Sequence, residues 1–96
     1  MDALEFMQLH ADNATAGKIP EVMKDLTPDA LQQVMPLMAG GPNPIKTNSV
    51  VAKGQEGDDF IFDVTYSGED GKSVSMREWV RQIEGTWKIA KLAKPE

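Results

Sequence analysis

The chain has 96 residues, 41% of them hydrophobic and 26% charged, the profile of one ordinary globular domain spanning 1–96. A chain this short buries roughly two-thirds of its unfolded surface, enough for one core, and folds that need about 250 residues, such as the eightfold α/β barrel, are excluded. Ten Lys and Arg against fifteen Asp and Glu give a formal charge of −5, the wrong sign for a bulk electrostatic nucleic-acid binder, so no nucleic-acid partner is expected.

Cysteine is absent, which removes disulfides, thiolate metal sites and thiol nucleophiles. Met1-Asp2-Ala3-Leu4-Glu5-Phe6 has neither a basic n-region nor a continuous apolar h-region, and no apolar run approaches the roughly 20 residues that cross a bilayer. A soluble domain without a membrane span is expected, cytoplasmic if the chain is complete and extracytoplasmic if a signal segment has been removed.

Asp2 suits the N-cap of a first helix running to about Ala16, where Gly17 tolerates the left-handed stop. Ala3, Leu4, Phe6, Met7, His10, Ala11 and Ala14 share one face of the helical wheel, with Glu5 and Asp12 opposite. Pro20 opens a short helix through Met23 to about Asp25. Thr27-Pro28 opens a third, with Leu31, Val34, Met35 and Met38 at i, i+3, i+4 and i+7. Pro36 predicts an end or a kink near Met35, because its ring clashes with the carbonyl four residues back. Gly40-Gly41-Pro42-Asn43-Pro44 is a turn-rich break.

Beyond the break, β-branched and aromatic residues predict strands at about Ile45–Lys53, Asp59–Tyr66, Ser73–Ile83 and Trp87–Leu92. The turns between them are Gly54-Gln55-Glu56-Gly57, Ser67-Gly68-Glu69-Asp70-Gly71 and Glu84-Gly85, all too short for a parallel crossover, so the sheet is an antiparallel meander. Phe60, Phe62, Val64 and Tyr66 alternate with Ile61, Asp63 and Thr65, as in a sheet with one face on the core. Three helices followed by four strands form an α+β fold in which the helices cover one sheet face.

The third strand is ambiguous because both of its faces carry charge. One register places Glu78 under the helices, the other places Arg77 or Arg81 there, and a bulge could exchange the faces midway. The plainer reading is a solvated outer face with snorkelling side chains. Glu56, Asp58, Asp59 and Asp63 invite a calcium site, but their spacing is wrong for a calcium loop, and an acidic edge that discourages sheet aggregation is the preferred reading. Six acids and no base lie between Glu56 and Asp70, whereas six bases face only Glu78 and Glu84 between Lys72 and Lys94, so paired strands should neutralise one another. The five methionines after Met1 are read as adaptable core filler. No glycine-rich phosphate loop, zinc spacing or Ser nucleophile motif occurs, and neither a cofactor nor a metal is expected.

Three stretches carry a family likeness: the helical start ending in Ala16-Gly17-Lys18, the Leu26-Thr27-Pro28 junction, and the hairpin Trp79-Val80-Arg81-Gln82-Ile83-Glu84-Gly85-Thr86-Trp87-Lys88-Ile89. Together they make the chain resemble small bacterial members of the nuclear transport factor 2-like superfamily, also described as cystatin-like. The resemblance implies a cone of about three N-terminal helices on a curved four-stranded antiparallel meander, with a pocket at the open end. It implies no single activity, because the superfamily spans isomerases, dehydratases, polyketide cyclases, transport adaptors and uncharacterised modules. The chain is shorter than catalytic members and lacks their Asp/His and Tyr/Asp dyads, so no catalytic residue transfers by position.

The function expected on this basis is a non-catalytic binding or protein-interaction module, taking a small apolar ligand or a protein partner and forming a homodimer through the sheet. Pocket candidates are Phe6, His10, Tyr66, Glu78, Trp79 and Arg81. The alternative is a small isomerase-, cyclase- or dehydratase-like enzyme with His10 as general base and Tyr66, Glu78 or an arginine polarising the substrate. His10 is the single histidine, and its plainer role is a satisfied, partly buried imidazole. Convergence of at least two of these groups in one enclosed cavity separates the enzyme from a filled core.

Overall fold

In the computed structural model, which describes residues 1–95, Asp2 caps α1 (Ala3–Thr15) through a reciprocal pair of bonds. Its carboxylate accepts from the Glu5 backbone N–H at 2.8 Å, and the Glu5 carboxylate accepts from the Asp2 N–H at 3.1 Å. Ala3, Phe6, Met7, His10 and Ala11 are buried as the wheel requires, whereas Leu4, placed on the same stripe, is half-exposed. The short α2 (Ile19–Lys24) takes Pro20 in its first turn and buries none of its residues. Thr27 caps α3 (Pro28–Met38), its hydroxyl accepting from the Ala30 N–H at 3.2 Å. Pro36 does not end this helix at Met35. It forfeits one bond, to the Gln32 carbonyl, on an exposed side of the last turn where water can take the donor's place.

The strands β1 (Thr47–Glu56), β2 (Asp59–Ser67), β3 (Ser73–Ile83) and β4 (Thr86–Ala93) form one open antiparallel sheet in the order β1-β2-β3-β4. β1 begins two residues after Ile45 and runs three beyond Lys53. A bulge at Lys53 lets Gly54, Gln55 and Glu56 pair with Ile61, Phe60 and Asp59, so the turn contracts to Gly57-Asp58. A second bulge, at Ala90, brings Ile89 and Leu92 to the same inner face although they are three apart. β3 has no such exchange: Met76, Glu78 and Val80 are buried under the helices, while Arg77, Trp79 and Arg81 lie on the other face. The solvated reading of Glu78 is thereby overturned. Glu78 pairs with Phe62 on one side and with Leu92 on the other, so it cannot turn outward without breaking two ladders.

On the outer face the Arg77 guanidinium donates to both Asp63 oxygens at 2.8 and 3.0 Å, and Arg81 donates to those of Asp59 at 2.7 and 2.9 Å. The Asp63 carboxyl is held below the usual carboxylate range, chiefly by its hydrogen bond from Arg77. Asp59 and Asp63 therefore form no acidic edge; they sit on interior β2 and are neutralised across the ladder, as the alternating charge runs suggest. The Lys91 ammonium lies 4.4 Å from the centre of the Trp79 ring.

The helical layer is tied to the sheet at its far edge. Asp25 to Thr27 runs beside β4, where the Ile89 N–H donates to the Asp25 carbonyl at 2.7 Å and the Thr27 N–H to the Ile89 carbonyl at 3.0 Å. On the opposite edge, Asn48 of β1 donates to the Thr15 hydroxyl at 2.9 Å and the Asp12 carboxylate at 3.1 Å. No helix among the described residues is long and apolar enough to cross a membrane.

The β3–β4 turn holds Glu84 at φ 52° and Gly85 at φ 78°, a pairing that a two-residue hairpin favours and a Glu side chain resists. Glu84→Asn, which tolerates the left-handed region, should raise stability by about 0.5 kcal/mol in urea denaturation with an unchanged m-value.

Candidate functional site

Between the helices and the inner sheet face lies a cavity of about 370 Å³, at the lower end of the roughly 300–1,000 Å³ range of small-molecule sites. It exists because the helices touch the sheet unevenly. α1 buries five residues, α2 none and α3 only Ala30, so the layer rests on α1 and on the start of α3. Val22, Leu26, Leu31, Val34 and Met38 wall the cavity from the helical side, and Met76 and Leu92 from the sheet. Ile19, Met23 and Met35 line it and are also among the exposed large apolar side chains, so the mouth opens between α2 and α3 through an apolar rim.

Three ionisable side chains share this wall: His10 from α1, Tyr66 from β2 and Glu78 from β3. Glu78 is 1% exposed, and neither carboxyl oxygen has a hydrogen-bond partner among the described residues. Burial pushes its pKa up to about 7, against a smaller opposing pull from His10. The Tyr66 hydroxyl is pushed well above its ordinary value, first by burial and then by the Glu78 and Asp12 charges. His10 is 4% exposed and differs from Glu78 in being satisfied: its Nδ1 lies 2.8 Å from an Asp25 carboxylate oxygen. Since a carboxylate can only accept, Nδ1 carries the proton in that contact and Nε2 is left as the second ring position.

The other sequence-derived candidates do not reach this cavity. Phe6 lies behind His10 in an aromatic row, 6.4 Å between centroids from His10 on one side and from Trp87 on the other. Phe60 closes the row edge-on to Trp87 at 5.7 Å. Trp79 and Arg81 are corrected to the outer sheet face by the unbroken alternation of β3. Asp25 was not a candidate. Its contact with His10 spans 15 positions and depends on the tie of Leu26 to Ile89, so no local spacing announces it. The Leu31, Val34, Met35 and Met38 stripe was legible, but as a packing face rather than a cavity wall. Among the described residues no group of three or more His, Cys, Asp or Glu could hold a metal ion.

Comparison with known proteins gave no match to a family model, to a curated protein or to a solved structure.

The Glu78 carboxyl binds its proton more tightly in the folded chain, at about 7, than at its ordinary value of 4.5. Its contribution to stability is therefore fully present below about 4.5, declines as pH rises to about 7, and is level above. Glu78→Gln keeps the shape and removes the titration. The difference in unfolding free energy between variant and wild type should shift towards the variant by a few kcal/mol from pH 4 to pH 8. A difference independent of pH would place the carboxyl in solvent.

Proposed function

We propose that the chain is a small pocket protein, of the cone-shaped kind that its helical start and closing hairpin resemble, which binds a compact apolar ligand between its helices and its sheet. One observation carries the reading: an apolar cavity open at one end, with a buried carboxyl on its wall whose two oxygens lack any partner among the described residues. A packed core would not retain such a group, because an unpaired buried polar group costs about 1–3 kcal/mol and more when charged. A ligand that fills the space and offers it a hydrogen bond removes both costs at once.

A second copy seated on the outer sheet face would cover the Asp63–Arg77 and Asp59–Arg81 pairs and the Lys91–Trp79 contact, a surface whose charges already satisfy one another. The inner cavity therefore supports the binding reading better than that face does.

Ala14 lines the cavity and is small, so Ala14→Trp would fill part of it. Benzyl alcohol titrated into the protein should move the amide and methyl resonances of Val22, Leu31, Val34 and Leu92 in two-dimensional NMR. The Ala14→Trp protein should show no such shifts, and identical shifts in both would move binding elsewhere.

A second reading is favoured by the convergence of His10, Tyr66 and Glu78 on the same cavity, with Asp25 holding His10. In an isomerase-, cyclase- or dehydratase-like reaction, His10 Nε2 would take a proton from carbon while Tyr66 or the protonated Glu78 donates to the developing oxyanion. In D2O, such a protein speeds exchange of the α-hydrogens of cyclohexenone over buffer, and His10→Gln returns exchange to the buffer rate. Exchange at the buffer rate with the unaltered protein leaves the binding reading alone.

A further inference from the structure

We infer that the ligand of this cavity carries a cationic nitrogen, an ammonium or amidinium group on an apolar body, with Glu78 as its counter-ion. The inference rests on the binding reading above and specifies the chemistry of the ligand.

The cavity-lining residues include no Lys or Arg. Its ionisable groups are Glu78, Tyr66 and His10, and behind His10 stands the Asp25 carboxylate at 2.8 Å. A protonated His10 is thus already matched by Asp25, and a neutral one adds no positive charge. Around Glu78, α1 presents His10 and β2 presents Tyr66, whereas α2, α3 and β4 present only apolar side chains to the cavity. Asp12, farther along α1, adds negative charge near Tyr66. An anionic ligand such as a fatty acid carboxylate would meet the like charge of Glu78 with no Lys or Arg in the lining to receive it. A cation would meet two unpartnered carboxylate oxygens in a low-dielectric wall, where a charge-assisted hydrogen bond is roughly twice as strong as a neutral one. The apolar rim of Ile19, Met23 and Met35 suits the body of such a ligand as it enters. A neutral ligand can hydrogen-bond to Glu78 but leaves the charge of its ionised form without a counter-ion.

The site predicts a proton balance. A bound ammonium favours the carboxylate, so at pH 7 each binding event drives part of a proton from Glu78 into solvent, and affinity for the cation rises from pH 5 to pH 8 and then levels.

Three probes of nearly equal shape test the inference by calorimetry at pH 8: benzylamine, benzyl alcohol and benzoate. Benzylamine should bind about tenfold or more tightly than benzyl alcohol, and benzoate weakest of all. In Glu78→Gln the amine should lose its tenfold advantage over the alcohol, and a cooperative urea transition of the variant shows separately that it folds. Titrations at pH 7 in buffers of different ionisation enthalpy should record net proton release with the amine and none with the alcohol. Equal affinities for amine and alcohol, or tighter benzoate, would overturn the cationic ligand and leave the apolar pocket standing. No binding of any of the three would overturn both.

Discussion

An unpaired carboxyl held under the helices by two neighbouring strands is the constraint around which this protein is arranged. Glu78 stands on interior β3, between Phe62 of β2 and Leu92 of β4, and both ladders fix its direction. A buried ionised carboxylate with no partner costs several kcal/mol, so the group spends much of the acidic range neutral and is pushed up to about 7. Filling the space around it with side chains would leave that cost in place. The cavity and the carboxyl therefore belong to one feature.

The helical layer keeps the cavity open by being fastened at its margins. The Asp25–Thr27 segment bonds to Ile89 at one edge of the sheet, and Asn48 bonds to Asp12 and Thr15 at the other. Between these ties α2 buries nothing and spans the gap, while α3 packs Leu31, Val34 and Met38 against the core and turns the same residues to the cavity. The same tie that holds Leu26 on β4 sets Asp25 against His10, so the one histidine is oriented by the element that also roofs the cavity. Phe6 and Trp87 stack behind it, and the Trp87 indole N–H donates to the Met1 carbonyl at 2.9 Å.

Most of the fold is legible in the residues. Asp2 and Thr27 announce helix starts by capping chemistry, Gly17 a stop, and Phe62, Val64 and Tyr66 an inward strand face, because each rests on local geometry. Helix α3 passes Pro36 and β1 passes Lys53 for the complementary reason: an exposed lost bond and a bulge are tolerated, and neither leaves a local mark. The site is only half legible. His10 and Tyr66 follow from their places on an apolar stripe and an alternating strand. Glu78 cannot be told from Arg77 or Arg81, since both faces of β3 mix charge with apolar groups and only the ladders decide between them. A cavity leaves no sequence signature at all, because Leu31, Val34 and Met38 look the same whether they meet side chains or space.

The central claim, that Glu78 faces an apolar cavity without a partner, is tested most directly by the titration of its own carboxyl. Carbon-detected NMR of the glutamate side chains, with Glu78→Gln to assign the resonance, should give a midpoint of about 7 for Glu78. A midpoint near the ordinary value of 4.5 would contradict the account, because it would mean that water or another side chain already satisfies the group.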